Sequence, residues 1–158
     1  MRLVAFHQIL LGIRALHLTG FIHRDIKPGN LGIVKLSITE ISVVILDYGQ
    51  AVRSQSCKPT PGKIGTIPYL APEMEVKEYG QGVDMWACGV IGRQLFDTDG
   101  RLEWQNVVQM KNNYDRAIEG LLAKSANNVG IWLAKCLLGN HLSVCQWKMH
   151  LSMPVFSL

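Results

Sequence analysis

From Leu3 to Leu16 the apolar positions Leu3, Phe6, Ile9, Leu10, Ile13 and Leu16 return every three or four residues. That spacing predicts a helix with one buried face. Gly20 stands just past the last apolar turn, where a residue without a Cβ most easily ends a helix. A polar stretch, His23 to Asn30, comes next. Two runs rich in β-branched residues, Leu31 to Leu36 and Ser42 to Leu46, are joined through Thr39 and Glu40 and predict a β-hairpin. Between Asp47 and Glu73 no period holds, and Pro59, Pro61, Gly62 and Gly65 interrupt the chain. An irregular excursion of that length is usually functional or mobile. Helical spacing returns in Val83 to Phe96, in Trp104 to Leu122, and in Val129 to Leu138 behind a capping candidate at Ser125. The expected fold is mainly α with one small β-hairpin, and no internal repeat suggests a tandem architecture.

Composition narrows this reading. With 158 residues, 48% of them hydrophobic, the chain can build one domain with its own core. The net charge of +4 comes from 16 Lys and Arg residues that are scattered rather than clustered. A solvated surface is the expectation, and no nucleic-acid partner is called for. Cys57, Cys88, Cys136 and Cys145 lie far apart without a C-x-x-C pair, which fits reduced, mostly buried thiols better than a zinc site or a disulfide frame. The apolar opening stretch is interrupted by His7, Gln8, Arg14 and His17, so neither a signal peptide nor a membrane span is expected. The expected location is intracellular, in the cytosol or nucleus.

The chemistry concentrates in His23-Arg24-Asp25-Ile26-Lys27-Pro28-Gly29-Asn30. Within six residues, Asp25 to Asn30, it sets a carboxylate able to receive a hydroxyl proton, a cation and an oxygen ligand for a hard metal ion, as phosphoryl transfer requires. Taken alone, the same residues could be ordinary loop polars. Asp47-Tyr48-Gly49 follows the second strand of the hairpin, which would bring Asp47 back beside Asp25 and Asn30. Gly65-Thr66-Ile67-Pro68-Tyr69-Leu70-Ala71-Pro72-Glu73 and Asp84-Met85-Trp86-Ala87-Cys88-Gly89 come after it, in order.

Together these four segments resemble the H-R-D-x-K-x-x-N, D-F-G, G-T-x-x-Y-x-A-P-E and D-x-W-x-x-G motifs of eukaryotic-type protein serine/threonine kinases. The resemblance implies roles for particular residues. Asp25 would be the catalytic base, and Lys27 would steady the transferred phosphate of ATP. Asn30 and Asp47 would bind Mg2+ at the nucleotide phosphates. Thr66 would bridge Asp25 and Lys27, Glu73 would form a structural ion pair with a later arginine, and Asp84 would tie down the backbone of the catalytic loop. Arg24 would face a phosphorylated residue of the excursion, with Thr60 the first choice and Ser54 and Ser56 behind it. A protein with a serine or threonine hydroxyl is the implied substrate. Tyr48 replaces the usual phenylalanine, adding a hydroxyl that needs a partner if the ring is buried.

The resemblance also implies what is missing. Only 22 residues precede His23, no G-x-G-x-x-G occurs, and Gly80-Gln81-Gly82 lacks the third glycine. No arginine follows Arg116 to meet Glu73. The expectation is a protein-kinase-like C-terminal lobe over residues 1–138, a divergent tail over 139–158, and an N-terminal lobe or kinase partner supplied separately. Two other readings stand beside the enzyme: an inactive kinase-like binding module and a degenerate fragment.

Overall fold

In the computed structural model, which describes residues 1–37, 40–55, 57–60 and 64–96, the first helix, α1, spans Arg2–Leu18. It buries Phe6, Ile9, Leu10 and Ile13, the residues whose spacing predicts it, and adds His17 on the same face. The end is set as the sequence suggests. Thr19 and Gly20 donate their backbone N–H groups to Leu16 and His17, and Gly20 adopts φ +82°, a conformation that side chains disfavour.

Strand β1, Phe21–Ile22, pairs antiparallel with β4, Val52–Arg53. The hairpin is β2, Leu31–Leu36, with β3, Ile41–Ile45, and Leu31 stands opposite Ile45. β3 begins and ends one residue earlier than the sequence spacing suggests. The register slips between Ile33 and Lys35 on β2. A short helix α2, Glu73–Val76, and the long α3, Gly82–Phe96, complete the described elements.

Two apolar clusters hold these elements together. One joins Phe6, Ile9, Leu10 and Ile13 of α1 to Ile45 of β3 and to Met85, Cys88 and Ile91 of α3. The other joins Ile22, Leu70, Ala71, Met74 and Tyr79 to Val83, Trp86 and Val90 of α3. Helix α3 therefore contributes to both, and every residue from Val83 to Gly92 is buried. A helix wedged between two apolar masses needs no polar face over that stretch, and its one charged residue there, Asp84, requires a special reason.

Cys88 is buried within α3, and burial, reinforced by the Asp84 carboxylate, pushes its thiol well up from the ordinary range. Cys57 is partly exposed, and partial burial raises its thiol despite the opposing Arg24 charge. Both are free cysteines. Among the described residues no helix is long and apolar enough to cross a membrane. The helices expected at Trp104–Leu122 and Val129–Leu138, the cap at Ser125, the tail 139–158, and Thr39, Ser56, Cys136 and Cys145 lie outside the described residues.

Candidate active site

The reason for the charge in α3 lies 60 residues upstream. Asp84, 1% exposed, accepts hydrogen bonds from the backbone N–H of His23 at 2.8 Å and of Arg24 at 2.8 Å, one on each carboxylate oxygen. The oxygen facing His23 also meets His17 Nε2 at 2.7 Å, and because a carboxylate only accepts, the imidazole donates there. Arg24 sits at φ +71°. A left-handed non-glycine residue costs about 1–2 kcal/mol, and the two bonds to Asp84 hold it in that conformation.

His23, fully buried, fastens the other side of the loop. Its Nε2 lies 3.1 Å from the Leu46 carbonyl and its Nδ1 lies 3.3 Å from the Asp25 amide. The tautomer with hydrogen on Nε2 satisfies both contacts. Leu46 N–H in turn donates to the Asn30 carbonyl at 2.8 Å. The residue after Leu46 is Asp47, so the hairpin returns the backbone at Asp47 to the end of the loop carrying Asn30. Asp47 takes φ +59°, is exposed, and accepts from Gly49 N–H at 3.3 Å. Tyr48 is half exposed, so the extra hydroxyl of this aromatic does not have to be satisfied inside the core.

Asp25 is the hub. One carboxylate oxygen accepts from Lys27 Nζ at 2.7 Å and Asn30 Nδ2 at 3.1 Å, and the other accepts from Thr66 Oγ1 at 2.8 Å. Lys27 Nζ also donates to Thr66 Oγ1 at 2.9 Å. Thr66, 41 residues away in sequence from Asp25, therefore uses its proton on the carboxylate and a lone pair on the ammonium. Asn30 is buried, and its amide nitrogen also donates to the Asp25 carbonyl at 2.8 Å.

Gly65 makes the approach of Thr66 possible. It has φ +96°, and a Cβ there would stand 2.9 Å from Leu70 Cδ1 and 3.5 Å from the Arg24 carbonyl. Gly65→Ala is expected to lower stability by about 1–3 kcal/mol through backbone strain and to displace Thr66 from Asp25. Thermal denaturation checks the first effect, and the Thr66 methyl shift in an NMR spectrum the second.

The remaining expected residues are arranged less tightly. Arg24 donates through Nε to the Gln50 carbonyl at 2.7 Å and through a terminal nitrogen to Tyr79 Oη at 3.2 Å. Thr60 is joined to the same Tyr79 hydroxyl at 3.3 Å. Glu73 opens α2, and among the described residues its carboxylate makes no ion pair. The resemblance puts its arginine partner in the tail, where the sequence has no arginine after Arg116. Sequence reasoning did not single out Tyr79, and it gave His17 no role beyond interrupting an apolar stretch. His17 carried a signal, since it follows Ile13 by four residues and Leu10 by seven and so falls on the buried face of α1.

A loop carrying a hub carboxylate is thus fastened by a buried helix, and a hairpin returns the chain to the end of that loop. Residues 3–133 match the family described as the protein kinase domain, and the chain belongs to that family. It is 36% identical over 84 residues to calcium-dependent protein kinase 4 of Plasmodium falciparum, covering 53% of this chain and 16% of that protein. Against the rabbit (Oryctolagus cuniculus) calcium/calmodulin-dependent protein kinase type II subunit delta the figures are 44% over 86 residues, 53% and 16%. Against the interferon-induced, double-stranded RNA-activated protein kinase of Mus musculus they are 37% over 95 residues, 59% and 18%. The chain thus spans less than a fifth of the length of these relatives.

The donor set suits Mg2+. The Asn30 amide oxygen and the Asp47 carboxylate are hard oxygen donors, and among the described residues no group of three or more His, Cys, Asp or Glu could hold a metal ion. Mg2+ binds in that manner, on one or two protein oxygens with waters and substrate phosphates completing its shell.

Proposed function

We propose that this chain supplies the phosphoryl-transfer part of an ATP- and Mg2+-dependent protein serine/threonine kinase. The observation that carries the reading is the closed set of contacts among Asp25, Lys27, Thr66 and Asn30, in which a partly buried carboxylate is oriented by three separate donors. Asp25 accepts the proton of a serine or threonine hydroxyl on a protein substrate, and Lys27 places positive charge beside the oxygen that takes up the phosphoryl group. Asn30 and Asp47 hold Mg2+. Mg2+-ATP, when bound there, would supply the phosphoryl group and positive charge to offset that of its phosphates.

Residues 1–138 form the C-terminal lobe of the catalytic domain, and 139–158 a divergent tail. The parts that grip the nucleotide come from outside these 158 residues, from an N-terminal lobe or a kinase partner. Two observations support that division. The sequence contains no G-x-G-x-x-G, and β2 leaves Ile33, Val34 and Leu36 about 60% exposed or more (59%, 65% and 67%). Thr60 is the phosphate acceptor of the excursion, facing Arg24, and the protein works inside the cell.

The test is transfer of radiolabelled γ-phosphate from ATP to serine- and threonine-containing peptides. It is run on the 158-residue chain alone and fused to the N-terminal lobe of a protein kinase. The expected result is Mg2+-dependent phosphoserine or phosphothreonine from the fusion and little from the chain alone. Phosphotyrosine alone, or no transfer by the fusion, defeats the reading. In the fusion Asp47→Ala is expected to abolish the Mg2+ dependence of ATP binding, seen by calorimetry as equal affinity with and without the ion.

A further inference from the structure

Tyr79 lies between α2 and α3 and is 5% exposed. Its backbone is committed on both sides to Cys57: the Tyr79 N–H donates to the Cys57 carbonyl at 2.9 Å, and the Cys57 N–H returns to the Tyr79 carbonyl at 3.0 Å. Three residues further along the excursion, the Thr60 N–H donates to the Met74 carbonyl at 2.8 Å. The ring packs with Ile22, Met74 and Trp86 in the second apolar cluster. Ring and backbone thus account for burial, and neither needs the hydroxyl.

The hydroxyl nevertheless has two partners, Arg24 at 3.2 Å and Thr60 at 3.3 Å. A guanidinium can only donate, so the Tyr79 oxygen accepts from Arg24, while between Tyr79 and Thr60 either hydroxyl can be the donor. Arg24, Tyr79 and Thr60 thus form one connected series, and bonds in such a series reinforce one another. Arg24 also donates to the Gln50 carbonyl, two residues after the start of the 3-10 turn at Tyr48–Gln50. One guanidinium therefore reaches both the early part of the excursion and, through Tyr79, its middle. Among the described residues Arg24 forms no ion pair with a carboxylate.

We propose that Tyr79 is a positioning residue, a hydroxyl clasp that docks residues 57–60 of the excursion onto Arg24 while the Thr60 hydroxyl is unmodified. The functional meaning rests on the kinase reading above. Thr66 belongs to the same excursion and reaches Asp25 and Lys27 only when that segment lies against the catalytic loop. In the unmodified protein the clasp ties Arg24 to the segment through neutral acceptors, the Gln50 carbonyl and the Tyr79 hydroxyl.

The clasp is tested by site-resolved amide hydrogen exchange on the 158-residue chain, comparing wild type with Tyr79→Phe, Thr60→Val and the double variant. Tyr79→Phe keeps the ring and both backbone bonds to Cys57 and removes only the oxygen. Net loss of one or two hydrogen bonds predicts about a tenfold fall in protection at the Cys57 and Thr60 amides. Amides of Ile9 to Ile13 in α1 are expected to stay within about twofold, since local opening is separable from global unfolding. The double variant is expected to lose less than the product of the two single losses, because both remove the same contact. Unchanged protection at Cys57 and Thr60 in Tyr79→Phe overturns the proposal. So does an equal fall in α1, which makes the hydroxyl merely part of overall stability. Exchange is read without nucleotide or turnover, so failed phosphoryl transfer leaves this test standing.

Discussion

Asp25→Asn is expected to lower kcat for phosphoryl transfer by about 10²–10⁴-fold, the usual contribution of a positioned base, while the fold survives. The amide can keep the existing geometry. With its oxygen toward Lys27 and Asn30 it still accepts their hydrogen bonds, and its nitrogen can donate to Thr66 Oγ1, whose hydroxyl turns around. What is lost is the negative charge and the lone pair that takes the proton. Steady-state kinetics of the lobe fusion checks this, with kcat falling and KM for ATP nearly unchanged, because Asp25 acts on the acceptor hydroxyl. A matching midpoint of chemical denaturation separates the effect from unfolding.

The second large effect is on stability. Asp84→Ala is expected to cost about 3 kcal/mol or more, since each buried donor left without its acceptor costs about 1–3 kcal/mol. Two backbone N–H groups and one imidazole lose their acceptor at once, in a site 1% exposed. Asp84→Asn does not escape the penalty. Whichever way its amide is turned, an NH2 group faces the backbone N–H of either His23 or Arg24, and one donor is left unsatisfied at about 1–3 kcal/mol. Urea unfolding checks both variants, with a lower midpoint and an unchanged slope. Against a typical total of about 5–15 kcal/mol, the alanine variant is expected to be partly unfolded at physiological temperature.

The sequence disclosed α1 and α3 because burial leaves a period, and disclosed the hairpin because β2 and β3 are long enough to show β-branched runs. β1 and β4 were not foreseen. Each has two residues, too few for any alternation, and their pairing depends on the excursion folding back. His17 was read as a polar interruption in an apolar stretch, since one chain position does not reveal that an aspartate 67 residues later will meet it. Tyr79 escaped for a similar reason, as its hydroxyl gains meaning only beside Arg24 and Thr60. The motif residues were recognised by resemblance. Their contacts, such as Thr66 on Asp25 and Lys27, are a property of the assembled chain.

The dependence of the catalytic loop on α3 has a consequence for biosynthesis. The amides of His23 and Arg24 find their acceptor 61 and 60 residues further along the chain. At translation speeds of about 5–20 residues per second, roughly 3–12 s separate the synthesis of Arg24 from that of Asp84. Throughout that interval the nascent polypeptide carries its His-Arg-Asp sequence with nothing to hold Arg24 in its left-handed conformation. A ribosome stalled at residue 83 has therefore synthesised the catalytic loop, the Asp-Tyr-Gly turn and the Gly-Thr segment, yet not the carboxylate that anchors the loop. One more residue and the helix around it turn a string of motifs into a site.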